Sequence, residues 1–294
     1  MKSRYVITVL ACLLASCNLA AQEGLCLSEV LYQPRSGEAE YVELYNNSSV
    51  VIDLAGYHIV RWVGDSLGKH YPLPSRSVAP HEYIVLTKDT ASVAACYRVQ
   101  RHEGLVQCQL PTYPNDGGSV ILATADSLVV QRLDYQPSMH DPLIHNPAGV
   151  ALERKRFDAP CNDADNWASA SALAGYGTPT YANSQLSRTV GDHDFRFSTS
   201  LLSPDGDGYQ DELVITYTLA RDDLHAMLFV YDACGNKVSG LNPHFSLGTQ
   251  GEIVWDGRGD NGLPLPAGRY LLHLVLFNTH GNQHTLDRTI TIFY

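Results

Sequence analysis

Residues 40–63 read EYVELYNNSSVVIDLAGYHIVRWV, and the fold is decided there. Three short runs follow one another. Residues 41–45 alternate, with Val42 and Leu44 on one face and Tyr41, Glu43 and Tyr45 on the other. Residues 50–54 alternate again, with Val50, Ile52 and Leu54 in phase. Residues 57–63 are rich in aromatic and β-branched side chains. Period-two runs of this length, broken by Asn46-Asn47-Ser48-Ser49 and by Ala55-Gly56, predict antiparallel strands joined by tight turns. A β-sandwich nucleus is the expectation.

The flanking sequence extends it. Residues 25–32 predict a strand in which Leu25, Leu27, Glu29 and Leu31 alternate against Cys26, Ser28 and Val30. Residues 69–73 add a strand that Pro72 confines to a sheet edge. Residues 82–88 form another, and Asp89-Thr90 caps a helical turn or two over 91–97. Residues 119–123 and 128–135 predict a hairpin, and 150–155 a late strand. Residues 158–187 are polar and small, and predict a wrapping segment that ends in a linker. Beyond it, strands are predicted at 195–199, 212–219, 226–232, 252–255, 268–278 and 284–293. In the fifth of these Leu272, Leu274 and Leu276 form the buried face.

The pieces Glu40 to Asn46 (EYVELYN) and Ile52 to Tyr57 (IDLAGY) resemble the signature of the lamin-tail domain, an Ig-like β-sandwich found in nuclear lamins and in many exported bacterial proteins. The likeness continues through PHEYIVLT from Pro80, NDGG from Asn115, MHDPLI from Met139, GVALER from Gly149, Asn166-Trp167 and Gly177-Thr178-Pro179. This order is typical of Bacteroidetes proteins. Near the C-terminus Trp255-Asp256-Gly257, Asn261-Gly262 and PAGRY from Pro266 resemble the Ig-like domain of flagellar hook-capping proteins. The expected fold class is therefore all-β: two Ig-like β-sandwich domains in tandem after an N-terminal signal segment. The expected boundaries are 1–22 for the signal, 23–187 for the lamin-tail-like domain with its linker, and 188–294 for the second sandwich.

The 294 residues carry 45% hydrophobic and 17% charged side chains, enough for packed cores. The net charge of −11 repels phosphate backbones and disfavours nucleic acid as a partner. Lys2 and Arg4 precede an apolar run over 5–14, shorter than a membrane span, which reads as an export signal. Two processing routes are open. Leu14-Ala15-Ser16-Cys17 resembles a lipobox, which would make Cys17 the acylated N-terminus and a lipid anchor the link to the membrane. Alternatively Leu19-Ala20-Ala21 is cut before Gln22. Five thiols follow the leader, Cys26, Cys96, Cys108, Cys161 and Cys234, an odd number. Cys96 and Cys108 could bridge, or each could pack as a small hydrophobe.

Residues able to carry chemistry are sparse. His140 and His145 flank Asp141-Pro142, without the partners of an active site. His193 lies between acids in a linker turn. Glu153 and Arg154 are neighbours on a strand and point to opposite faces, as do the oddly spaced Glu40 and Glu43. Arg258-Gly259-Asp260 reads as an ordinary turn, and the sequons at Asn46 and Asn47 mark an exposed turn. The one metal candidate is Asp205, Asp207 and Asp211 in SPDGDGYQDEL, a spacing that suits calcium although the loop is not an EF-hand.

The expected function is a non-catalytic one, binding, adhesion or scaffolding at the envelope or cell surface, toward an envelope protein or polysaccharide. The alternatives are a cargo whose C-terminal domain is a type IX sorting module, or an accessory of an extracellular hydrolase system.

Overall fold

The computed structural model describes residues 24–187 and 193–294. The leader, Cys17 and the middle of the linker lie outside these residues. The chain divides into two compact units. The first holds the described residues up to Ala170 together with Tyr176–Asn183, and the second holds Ser171–Gly175 with Ser184–Tyr294. The second unit thus begins at Ser184 and also takes five residues from further upstream.

In the first unit a six-stranded sheet runs in the order Leu105–Gln107, Tyr83–Thr87, Tyr41–Asn46, Leu25–Leu31, Leu152–Arg154 and Trp167–Ser169. It is antiparallel except for the first pair, which is parallel. A four-stranded sheet, Val129–Tyr135, Gly118–Thr124, Tyr57–Val60 and Tyr71–Pro72, faces it. Between them lies a core that includes Leu27, Val42, Leu44, Ile59, Ile84, Leu122 and Trp167. Pro72 does sit on an edge strand, where its missing N–H costs nothing. Asp89 caps the helix Thr90–Cys96 by accepting from the amides of Ala91 and Ser92.

The central strands depart from simple alternation. Both faces of Tyr41–Asn46 are buried, because the helix and a cluster of Leu31, Tyr41, Val85, Val93 and Tyr97 cover the outer face. In Leu25–Leu31 the pairing register slips between Leu27 and Glu29. This β-bulge at Ser28 reverses the phase. Leu25, Leu27, Val30 and Tyr32 enter the main core, while Leu31 turns to the outer face. Glu29 is therefore not in phase with Leu25 and Leu27 as the sequence pattern suggested.

Two other expectations are corrected. The run at 50–54 shrinks to Ile52–Asp53, with Val50 53% exposed, because only Ile52 and Leu54 reach the core. Asn46 is not on an exposed turn. Its amide is buried and donates to the carbonyls of Val50, Val78 and Ala79, so this sequon is sealed. The wrapping segment also contains an unforeseen strand, Trp167–Ser169. Among the described residues none of the five cysteines is in a disulfide, so Cys96 and Cys108 form no bridge.

The second unit packs Asp194–Phe197, Leu213–Thr218 and Gln250–Trp255 against a five-stranded sheet. That sheet runs Leu201–Leu202, Gln283–Ile292, Gly268–Phe277, His225–Tyr231 and Lys237–Ser246. Leu272, Leu274 and Leu276 are buried with Ile215, Ile253 and Trp255, as the alternation predicts. Lys237–Ser246 escapes sequence reading because Gly240 and Pro243 interrupt it. It is an edge strand of its sheet. Each unit is a two-sheet β-sandwich. Among the described residues no helix is long and apolar enough to cross a membrane.

Candidate functional site

Two polar constellations lie in the first unit, one sealed and one open. The sealed one is a row of three carboxyls. Glu43, Glu29 and Glu153 stand side by side on adjacent strands, since Glu29 pairs in register with both of the others. All three are fully buried. The bulge at Ser28 is what turns Glu29 into this row. Above it lies the strap Tyr176–Asn183. The Thr178 amide donates to both Glu29 oxygens at 3.0 and 3.2 Å, and the Thr180 amide donates to Glu43 Oε2 at 2.7 Å. Tyr41 Oη donates to Glu29 Oε1 at 2.6 Å. Asn183 clasps the far end, accepting from Ser28 Oγ and donating to the Ser28 and Arg154 carbonyls.

The row has to hold protons. Thr178 Oγ1 lies 3.0 Å from Glu29 Oε2 and 2.8 Å from Glu153 Oε1. A hydroxyl has one hydrogen to give, so one of these two carboxyls must be protonated and donate to it. Burial, then the charge of Glu153, pushes Glu29 up to about 8. Burial, then the charge of Glu29, holds Glu43 far above the usual carboxylate range. At Gly177 only glycine fits, because a Cβ would stand 2.7 Å from Tyr41 Oη. Thr180 is held at φ +74°, unusual for a β-branched residue, with its hydroxyl accepting the Arg101 amide.

The open constellation is a cleft of about 360 Å³ beside the Gly118–Thr124 and Val129–Tyr135 strands. Trp62 forms part of its wall and is 37% exposed. The Arg132 guanidinium lies 4.7 Å from the centre of the indole and donates from Nε to Asp134 Oδ1 at 2.9 Å. Asn162 fixes Asp134 from the other side, accepting its amide and donating to Oδ2. Asp116 and Gln136, both exposed, line the remainder. Gly118 lets the strand pass close to Tyr135, whose Oη would lie 2.6 Å from a Cβ there.

The residues singled out by sequence fall elsewhere. His140 packs on Tyr32, with Nδ1 2.9 Å from Ser169 Oγ, and burial pushes it down to about 4, so it is neutral. Ser169 pairs with Leu152 and shares its face of the sheet, whereas Glu153 points the other way. His140 and Glu153 are therefore not brought together. His145 is exposed, and His193 Nδ1 accepts the Ala220 amide. Glu40 accepts the Tyr113 amide. Arg154 is buried and donates to Gln131 and to three carbonyls. In the second unit Asp260 accepts the Gly240 amide and pairs with Lys237, while Arg258 donates to the Gly262 carbonyl. That tripeptide is committed to its own turn. Asp205, Asp207 and Asp211 do converge, with one oxygen of each within 4.8 Å of the others. Asp211 also accepts the Gly206 and Gly208 amides, and Asp207 that of Tyr209, so the turn accounts for these contacts by itself.

Residues 18–137 match the family model described as Lamin Tail Domain. The first unit contains a lamin-tail-like domain. No curated protein matches the chain. Among solved structures, the chain aligns with dimeric latent PorU from Porphyromonas gingivalis at 10% identity and a TM-score of 0.27, over 91% of this chain and 20% of that one. It aligns with FlgD from P. aeruginosa at 20% identity and a TM-score of 0.25, over 36% of this chain and 78% of that one. PorZ, described as an essential surface component of the type-IX secretion system of Porphyromonas gingivalis, aligns at 11% identity and a TM-score of 0.25, over 90% of this chain and 30% of that one. The chain thus spans a fifth of PorU and under a third of PorZ. None of these alignments reaches the similarity at which a shared fold follows.

Proposed function

We propose that the chain is an exported, non-catalytic binding protein of the bacterial envelope, presenting its lamin-tail-like domain to a surface partner. The observation that carries this reading is the separation of the two constellations. The groups of perturbed acidity are sealed under a strap that uses them as hydrogen-bond partners. The open concavity instead holds side chains that fix one another for contact, Arg132 between Trp62 and Asp134. The leader-like residues 1–22 support export, and Cys17 at a lipobox supports an acyl anchor. The likeness of the C-terminal residues to hook-capping Ig domains supports a second sandwich that spaces or docks the first.

Fractionation of cells making the native chain, with protease added outside, tests this. The expected result is recovery with the envelope and cleavage from outside. An intact chain in the cytoplasm would overturn the reading, and release into the medium would favour the sorted-cargo alternative. Intact mass of the recovered chain separates acylated Cys17 from a free start at Gln22.

A further inference from the structure

We infer that the cleft walled by Trp62 and Arg132 is a binding site for a neutral pyranose saccharide; this rests on the binding reading above and names its ligand class. The volume of about 360 Å³ suits one or two sugar rings of a longer chain. A pyranose presents an apolar face of C–H groups and a rim of paired hydroxyls. The half-exposed indole, one face of which carries the Arg132 guanidinium, offers the matching flat surface with the part left uncovered. Around it the polar groups are of both kinds. Asp116 and Asp134 accept from hydroxyls, Arg132 donates to them, and the Gln136 amide does both.

The orientation of Arg132 and Asp134 is set before a ligand arrives. Arg132 is held by the indole and by Asp134, and Asp134 by Asn162 on both its amide and its carboxylate. Little side-chain freedom then remains to be lost on binding, which weak polar ligands require. Charge excludes the competing classes. Two carboxylates against one guanidinium leave the cleft net negative, on a chain of net charge −11, so phosphate and other polyanions are repelled. A cationic peptide meets Arg132 at the wall where the indole is. An uncharged ligand rich in hydroxyls meets no such penalty.

The test uses the full chain and three soluble probes, cellohexaose, maltohexaose and chitohexaose. Trp167 and Trp255 are buried, so a fluorescence change on binding reports Trp62. At least one probe should shift the emission and give heat by calorimetry. Trp62→Ala should weaken that affinity about tenfold or more, equivalent to about 1.4 kcal/mol. Gln136→Ala, on an exposed side chain, should weaken it less without altering the melting curve. No response to any probe would overturn the inference, as would undiminished affinity in Trp62→Ala or tighter binding of oligolysine than of every sugar. Retention of the chain on isolated envelopes alongside such a failure would leave the binding reading standing and remove only the saccharide.

Discussion

Raising the pH from 6.5 to 8 should destabilise the first unit by about 2 kcal/mol through Glu29 alone, with Glu43 adding to it. The sign follows from proton binding. Glu29 is raised in the folded state from 4.5 to about 8, so between those values the folded chain holds a proton that the unfolded chain has lost. Its contribution is complete below about pH 4.5 and disappears as pH rises through 8. His140 acts oppositely. Its pKa falls from 6.5 to about 4, so its neutral burial stabilises above pH 6.5 and that contribution is lost toward pH 4. Between about 4.5 and 6.5 the two slopes oppose, and the decline emerges above 6.5. Urea unfolding in a Trp255→Phe background, where Trp62 and Trp167 report the first unit, measures it. Glu29→Gln should flatten the alkaline decline, making the variant more stable than the parent at pH 8. An unchanged slope would show that the row does not share protons.

The second large effect concerns Arg154. Its guanidinium is buried and donates to the carbonyls of Leu27, Arg156 and Ala159 and to Gln131 Oε1, with the Phe157 ring 5.6 Å away. These partners tie the Leu25–Leu31 strand to the loop after Leu152–Arg154. Arg154→Ala leaves four acceptors without their donor and opens a cavity, and should cost on the order of 4 kcal/mol. Arg154→Lys keeps the charge but loses the planar fork, and should recover only part of the loss. A urea midpoint for Arg154→Ala within error of the parent would contradict this placement.

Much of the sandwich was legible because its strands alternate, and because Asp89, Pro72 and the Ala55-Gly56 break mark boundaries by local chemistry. The sealed row was not. Its members lie on three strands far apart in sequence, and the bulge at Ser28 that aligns Glu29 leaves no signal in a run that alternates cleanly. The strap was visible only as a polar, small-residue wrap; Gly177-Thr178-Pro179 stood out as a motif, without the carboxyls it covers. The cleft was half legible. Asn115-Asp116-Gly117-Gly118 and the aromatic run ending at Val63 are each visible in the sequence, but their meeting depends on Gly118–Thr124 pairing with both Tyr57–Val60 and Val129–Tyr135. Asn46 misled because the sequon describes local sequence, whereas three distant carbonyls bury its amide.

On the proposed reading the open cleft binds the partner and the carboxyl row is structural. The most direct measurement is sedimentation with insoluble envelope polysaccharide at pH 6, comparing the parent, Trp62→Ala and Glu153→Gln, with soluble sugar assayed in each supernatant. The parent and Glu153→Gln should sediment alike, Trp62→Ala should stay in solution, and none should release sugar. Loss of binding in Glu153→Gln with retention in Trp62→Ala, or sugar released by the parent and not by Glu153→Gln, would contradict it.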